Sequence, residues 1–112
     1  MHSKTASVYG CMNDNYTIFS EVGFMFRMWG KIWKNNHLLK DTVICDETED
    51  TRTHKIFHAL TQICLEFNLA EPQWLDSNIR DFKRYRKTRF TQDSFVEEID
   101  FDYLEIHIIE ET

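Results

Sequence analysis

The sequence predicts an α+β domain: a β-hairpin followed by two main helices and a returning C-terminal strand, on a small antiparallel or mixed sheet. Three observations lead there. Two β-prone runs flank Asn35-Asn36, the stretch from Asp50 to Asn68 has a clean helical period, and IDFDYLEIHIIEE near the C-terminus alternates apolar and polar residues. With 112 residues the chain has room for one hydrophobic core. Its 42% apolar residues, 3 Gly and 1 Pro are those of a folded domain rather than a linker.

Residues 1–22 have no sustained period and are expected to form an N-terminal arm, either flexible or adding a short strand near Tyr16 to Phe19. The α+β domain is placed at residues 23–112. Asparagine tolerates positive φ, so Asn35-Asn36 predicts a two-residue turn. Pairing Lys34 with His37 then sets Ile32 opposite Leu39, Met28 opposite Val43 and Phe26 opposite Cys45 on the core face. On the other face it sets Trp29 opposite Thr42, Trp33 opposite Leu38 and Lys31 opposite Lys40. That face is either covered by the arm or available to a partner.

The helix over residues 50–68 buries Ile56, Leu60, Ile63 and Phe67, with Phe57 and Cys64 widening the stripe. Asp50 or Thr51 supplies the N-cap and Asn68 the C-cap, and Pro72 prevents continuation. A second helix follows in WLDSNIRDFKRYRKTRF, with Asp76 or Ser77 as cap and Leu75, Ile79, Phe82 and Phe90 on its inner face. Arg86 falls within that stripe, so its stem is expected over the core with its guanidinium reaching a carboxylate. Residues 91–99 are read as one helical turn capped by Thr91. In the last strand Leu104, Ile106 and Ile108 face the helices, Tyr103, Glu105 and His107 lie opposite, and the acidic end guards an edge.

Charge is unevenly distributed. Residues 79–90 hold six basic groups and one acid, and removing them from the chain's 13 basic and 19 acidic groups leaves 7 and 18, a net of −11. Arg80, Lys83, Arg84 and Lys87 form a solvent-facing basic flank that could contact phosphates, with Tyr85 able to stack on a base or pack on a partner. The acidic remainder repels phosphate beyond that flank, so a protein partner, or self-association, is expected ahead of nucleic acid bound through residues 79–90. Trp29 and Trp33 complete the candidate binding set.

No motif carries catalysis or a cofactor. His54 and His58 share a helix face at i, i+4, but His-Lys-Ile-Phe-His lacks the glutamate of a zinc-protease signature and a third ligand, so no metal site is assigned. Gly10, Gly23 and Gly30 cannot form a phosphate loop, and no serine sits in a nucleophile motif. An enzyme would need a site assembled from distant residues. Three cysteines without a C-x-x-C pair fit a reducing, cytoplasmic setting, and no apolar run approaches the ~20 residues of a membrane span.

From Met25 to Glu111 the chain resembles a family of small intracellular proteins of anaerobic Gram-positive bacteria that has no assigned activity. The resemblance rests on M-W-G-K-I at Met28 to Ile32, L-L-K-D-T-V-I at Leu38 to Ile44, D-T-R-T-H-K at Asp50 to Lys55, and on K-T-R-F and F-D-Y-L-E-I towards the C-terminus. It implies a domain beginning near Met25 and brings no catalytic residue or cofactor. The function expected is a small cytoplasmic binding or regulatory module.

Overall fold

The computed structural model describes Ser7–Val8 and residues 25–111. Along the chain lie β1 (Ser7–Val8), β2 (Phe26–Lys34), β3 (His37–Asp46), α1 (Arg52–Phe67), α2 (Asp76–Tyr85), β4 (Lys87–Phe90), a 3-10 turn at Gln92–Ser94 and β5 (Tyr103–Glu111). The strands form one antiparallel sheet in the order β1-β3-β2-β5-β4. The fold is α+β. Strand β1 pairs Ser7 with Cys45 and Val8 with Ile44; a strand near Tyr16 to Phe19 falls outside the described residues.

The hairpin turns at Asn35 and Asn36, whose φ of 53° and 66° are the left-handed values a type I′ turn needs. Lys34 pairs with His37 and Trp33 with Leu38, and then the register slips: Ile32 pairs with Lys40, Lys31 with Asp41, Trp29 with Val43 and Met28 with Ile44. Leu39 is the extra residue of a β-bulge, which overturns the expected pairs beyond Trp33. Because strand side chains alternate, one residue of slip exchanges faces. Ile44 and Thr42 turn inward, Leu39 is left 53% exposed, and Lys31 meets Asp41 instead of Lys40. The bulge thus replaces a like-charge pair with an opposite one.

Helix α1 follows its sequence signals. The Thr51 side chain accepts from the His54 N–H, and Asn68 adopts the left-handed conformation while its N–H and that of Leu69 return to Leu65 and Cys64. Ile56, Leu60, Ile63, Cys64 and Phe67 are buried, as is Ala59, but Phe57 is half exposed and sets its ring edge-on to Trp74 at 6.0 Å. The small Ala59 and Gly30 allow helix and sheet to approach closely, so Phe57 is turned to the flank. A Cβ built on Gly30 would lie 2.7 Å from Cγ2 of Ile63. Gly30→Ala should therefore cost about 1–3 kcal/mol in urea unfolding, and less in an Ile63→Ala background. Equal costs in both backgrounds would mean that the helix does not rest there.

Helix α2 is shorter than the sequence suggested. It ends at Tyr85, where Arg86 takes a left-handed cap with φ 61°, and the chain turns directly into β4. Phe90 reaches the core from that strand, not from a continuing helix. Asn78 and Phe82 form the inner face, while Leu75 and Ile79 are 37% and 41% exposed. Asn78 is a buried hub. Its Oδ1 accepts from the Leu75 N–H, and its Nδ2 donates to Thr88 Oγ1 and to the Arg89 carbonyl, all at 2.9 Å. These bonds fix α2 to β4 and occupy a carbonyl of this edge strand.

Strand β5 lies between β2 and β4, but β4 pairs with it only as far as His107, so its acidic end runs past β4. Glu110 pairs with Arg27, and Glu111 pairs with Arg52 and Arg86. Arg86 thus finds the expected carboxylate at 3.6 Å, but its side chain is 56% exposed and does not lie over the core. Leu104, Ile106 and Ile108 are buried towards the helices as predicted.

Candidate functional site

The helices pack on one face of the sheet, and no described element packs on the other. Register and alternation arrange that second face in cross-strand rows. The middle row runs Asp41, Lys31, Glu105, Arg89 across β3, β2, β5 and β4, alternating in charge at each step. On one side of it lies Val43, Trp29, His107, Lys87, and on the other Trp33 beside Tyr103. Opposite charges and large rings placed directly across strands are the pairs that stabilise a sheet and fix its side chains.

Glu105 is the centre of the arrangement. It is 6% exposed, and its Oε1 accepts from Trp33 Nε1 at 3.1 Å and lies 3.3 Å from Lys31 Nζ, while Oε2 is 3.6 Å from Arg89 Nε. Lys31 Nζ stands 3.9 Å from the centroid of the Trp29 ring, whose Nε1 donates to Asp41 at 2.8 Å. Arg89 stands 4.7 Å over Tyr103. Each aromatic ring on this face is therefore oriented by a hydrogen bond or by a cation.

Burial alone would raise the Glu105 carboxyl, but Lys31, the Trp33 N–H and Arg89 outweigh it and hold the group below its ordinary range. His107 is pushed down by burial and by the positive charges of Lys87 and Lys31, so it is neutral at pH 7. Both shifts act in the same direction. The unfolded chain binds protons more readily at each site, so the contribution of His107 is present above 6.5 and that of Glu105 above 4.5, each lost as pH falls through the lower folded value. Urea unfolding should show stability declining in two stages on acidification, and His107→Gln should flatten the first. An unchanged first stage in that variant would remove His107 from the account.

The structure divides the expected binding set. Trp29, Trp33 and Lys87 share the helix-free face, whereas Arg80, Lys83, Arg84 and Tyr85 belong to α2. The basic stretch 79–90 is thus a helix joined to a strand, not one helical flank. Arg80, Lys83, Arg84 and Lys87 are exposed and make no ion pair among the described residues, and Arg84 lies 5.6 Å over the ring of Tyr85. Sequence reading missed Lys31, Glu105, Arg89 and Tyr103 as site residues. Period-two alternation placed Tyr103 and Glu105 on a common face, but only the β2–β5–β4 order brings them against Lys31 and Arg89.

His54 and His58 turn to separate carboxylates, His54 Nδ1 lying 2.9 Å from Asp50 and His58 Nδ1 3.9 Å from Asp46. Among the described residues no group of three His, Cys, Asp or Glu could hold a metal. Burial, with a smaller effect from Glu71, pushes the Cys64 thiol up to about 12, which leaves it an inert core residue. No described helix is long and apolar enough to cross a membrane. No family model, curated protein or solved structure matches the chain.

Proposed function

We propose that the chain is a small binding module that docks a protein partner on the helix-free face of its sheet, with Trp29, Trp33 and Tyr103 as anchors and Lys87 at the margin. The observation that carries this reading is the buried Glu105 network, which holds large aromatic side chains in fixed orientations before any partner arrives. Pre-organised aromatic anchors lose little side-chain entropy on binding and dominate protein interfaces. Nucleic acid is the second reading, and the same geometry argues against it. Bases stack on free ring faces, but Lys31 already lies over Trp29 and Arg89 over Tyr103. The chain's net charge of −6 adds repulsion of phosphate.

The test compares affinity capture from the native cell, read by mass spectrometry, for the unaltered chain, Trp29→Thr/Lys87→Glu and Arg80→Ala/Arg84→Ala/Lys87→Ala. A protein captured by the first and lost in the second, with its thermal melt unchanged, supports the reading. Sub-micromolar binding of an unstructured oligonucleotide at physiological salt, steeply salt-dependent and lost in the triple variant, would overturn it.

The proposal places the module in the cytoplasm, the setting expected from three cysteines without a C-x-x-C pair. Fractionation of the native cell tests this: recovery of the chain with cytoplasmic markers supports it, and recovery in an oxidising compartment overturns it.

A further inference from the structure

A second surface lies on the helix side of the sheet, at the hairpin end. Two adjoining hollows of about 460 and 400 Å³ share Asn68, Leu69, Asp100 and Phe101. Their floor is apolar, formed by Leu69, Ile99 and Phe101 over the buried Phe67 and Phe95. Their rim is acidic. Glu97, Glu98 and Asp100 are exposed and make no ion pair among the described residues. The C-terminal end of α1 opens on the same place with no basic residue in its last turn, which adds the negative end of the helix dipole. Among the described residues the one cation on the wall is Lys40, whose Nζ lies 5.5 Å from the centroid of the Phe67 ring.

We propose that this groove docks a short basic and apolar segment of a protein partner, with large apolar side chains over Leu69 and Phe101 and Lys or Arg side chains against Glu97, Glu98 and Asp100. Charge complementarity selects the occupant. An acidic segment would meet three uncompensated carboxylates, a purely polar one would leave the floor wet, and a basic apolar one satisfies both. Lys40 shares its hollow with Asp100 and lies against the aromatic wall, so it competes there with the partner's cations. The groove is separate from the charge ladder on the opposite face, so this proposal and the sheet-face reading fail independently.

Fluorescence anisotropy of a labelled peptide alternating leucine and arginine tests it, against controls alternating leucine with glutamate and serine with arginine. The unaltered chain should bind the first and neither control. Glu97→Gln/Glu98→Gln/Asp100→Asn should lose about tenfold in affinity through three rim contacts. Lys40→Met should bind more tightly. Glu49→Gln/Asp76→Asn/Asp93→Asn, which removes the same charge elsewhere, should bind as the unaltered chain does. Equal losses in the two triple variants would reduce the effect to overall charge, and binding of the serine–arginine peptide would remove the apolar floor; either result overturns the proposal. So would a salt-sensitive dimer in light scattering that the rim substitutions abolish, since it assigns the groove to a second copy of the chain.

Discussion

Glu105→Ala should destabilise the chain by about 3–5 kcal/mol in urea unfolding, more than any other substitution on the helix-free face. The Glu105 side chain is 7% exposed and that of Lys31 only 13%, so its removal takes from a nearly buried ammonium the carboxylate 3.3 Å away and leaves it Asp41 alone, across the other strand. The Trp33 N–H loses its acceptor at the same time. Removing both charges in Glu105→Leu/Lys31→Met should restore most of the loss, because a well-packed apolar pair avoids the desolvation of an ion pair. If Glu105→Ala costs less than about 1 kcal/mol, the range of a solvated surface pair, the network does not hold the aromatic side chains in place.

The other large effect belongs to the core. Leu60 is 2% exposed at the centre of the inner face of α1, and Leu60→Ala should cost about 2–5 kcal/mol, combining lost burial with the cavity left behind. Thr61→Ala is the control. Thr61 faces the flank, where its hydroxyl lies 3.0 Å from both the Phe57 carbonyl and Glu71 and donates to one of them at a time, and its loss should be much smaller. Comparable losses at the two positions would mean that α1 is rotated from the orientation described.

These two positions differ in how they could be found. Leu60 was legible in the sequence because a helix's inner face repeats within its own segment, and the caps at Thr51 and Asn68 are equally local signals. The turn at Asn35-Asn36 was legible for the same reason. The bulge at Leu39 was not, since nothing in that stretch marks which residue is extra; the gain comes from Lys31 meeting Asp41 and from Ile44 entering the core. Strand β4 was hidden because Phe90 falls in phase with the preceding helix, and Arg86 is not a residue type that announces a left-handed cap. In α2 one of the two inward residues is polar. Asn78 is buried through bonds to β4 that no periodicity reveals, and Leu75 and Ile79 were placed inward in its stead.

The candidate site was half legible for a related reason. Alternation along β2 put Trp29 and Trp33 on one face, and alternation along β5 put Tyr103, Glu105 and His107 on one face. What the sequence does not contain is the strand order that brings those faces together, or the turn after Tyr85 that carries Lys87 and Arg89 to the same sheet. Long-range pairings of this kind depend on the whole fold and leave no local mark.

Whether this face meets a protein can be read most directly by photo-crosslinking in the native cell, with a photoreactive residue placed in turn at Val43, at Lys87 and at Ser77 on α2. Docking on the helix-free face predicts the same protein adduct from Val43 and Lys87 and none from Ser77. Adducts to nucleic acid, adducts from Ser77 alone, or crosslinks from Val43 only to residues 1–24 of the same chain would contradict it.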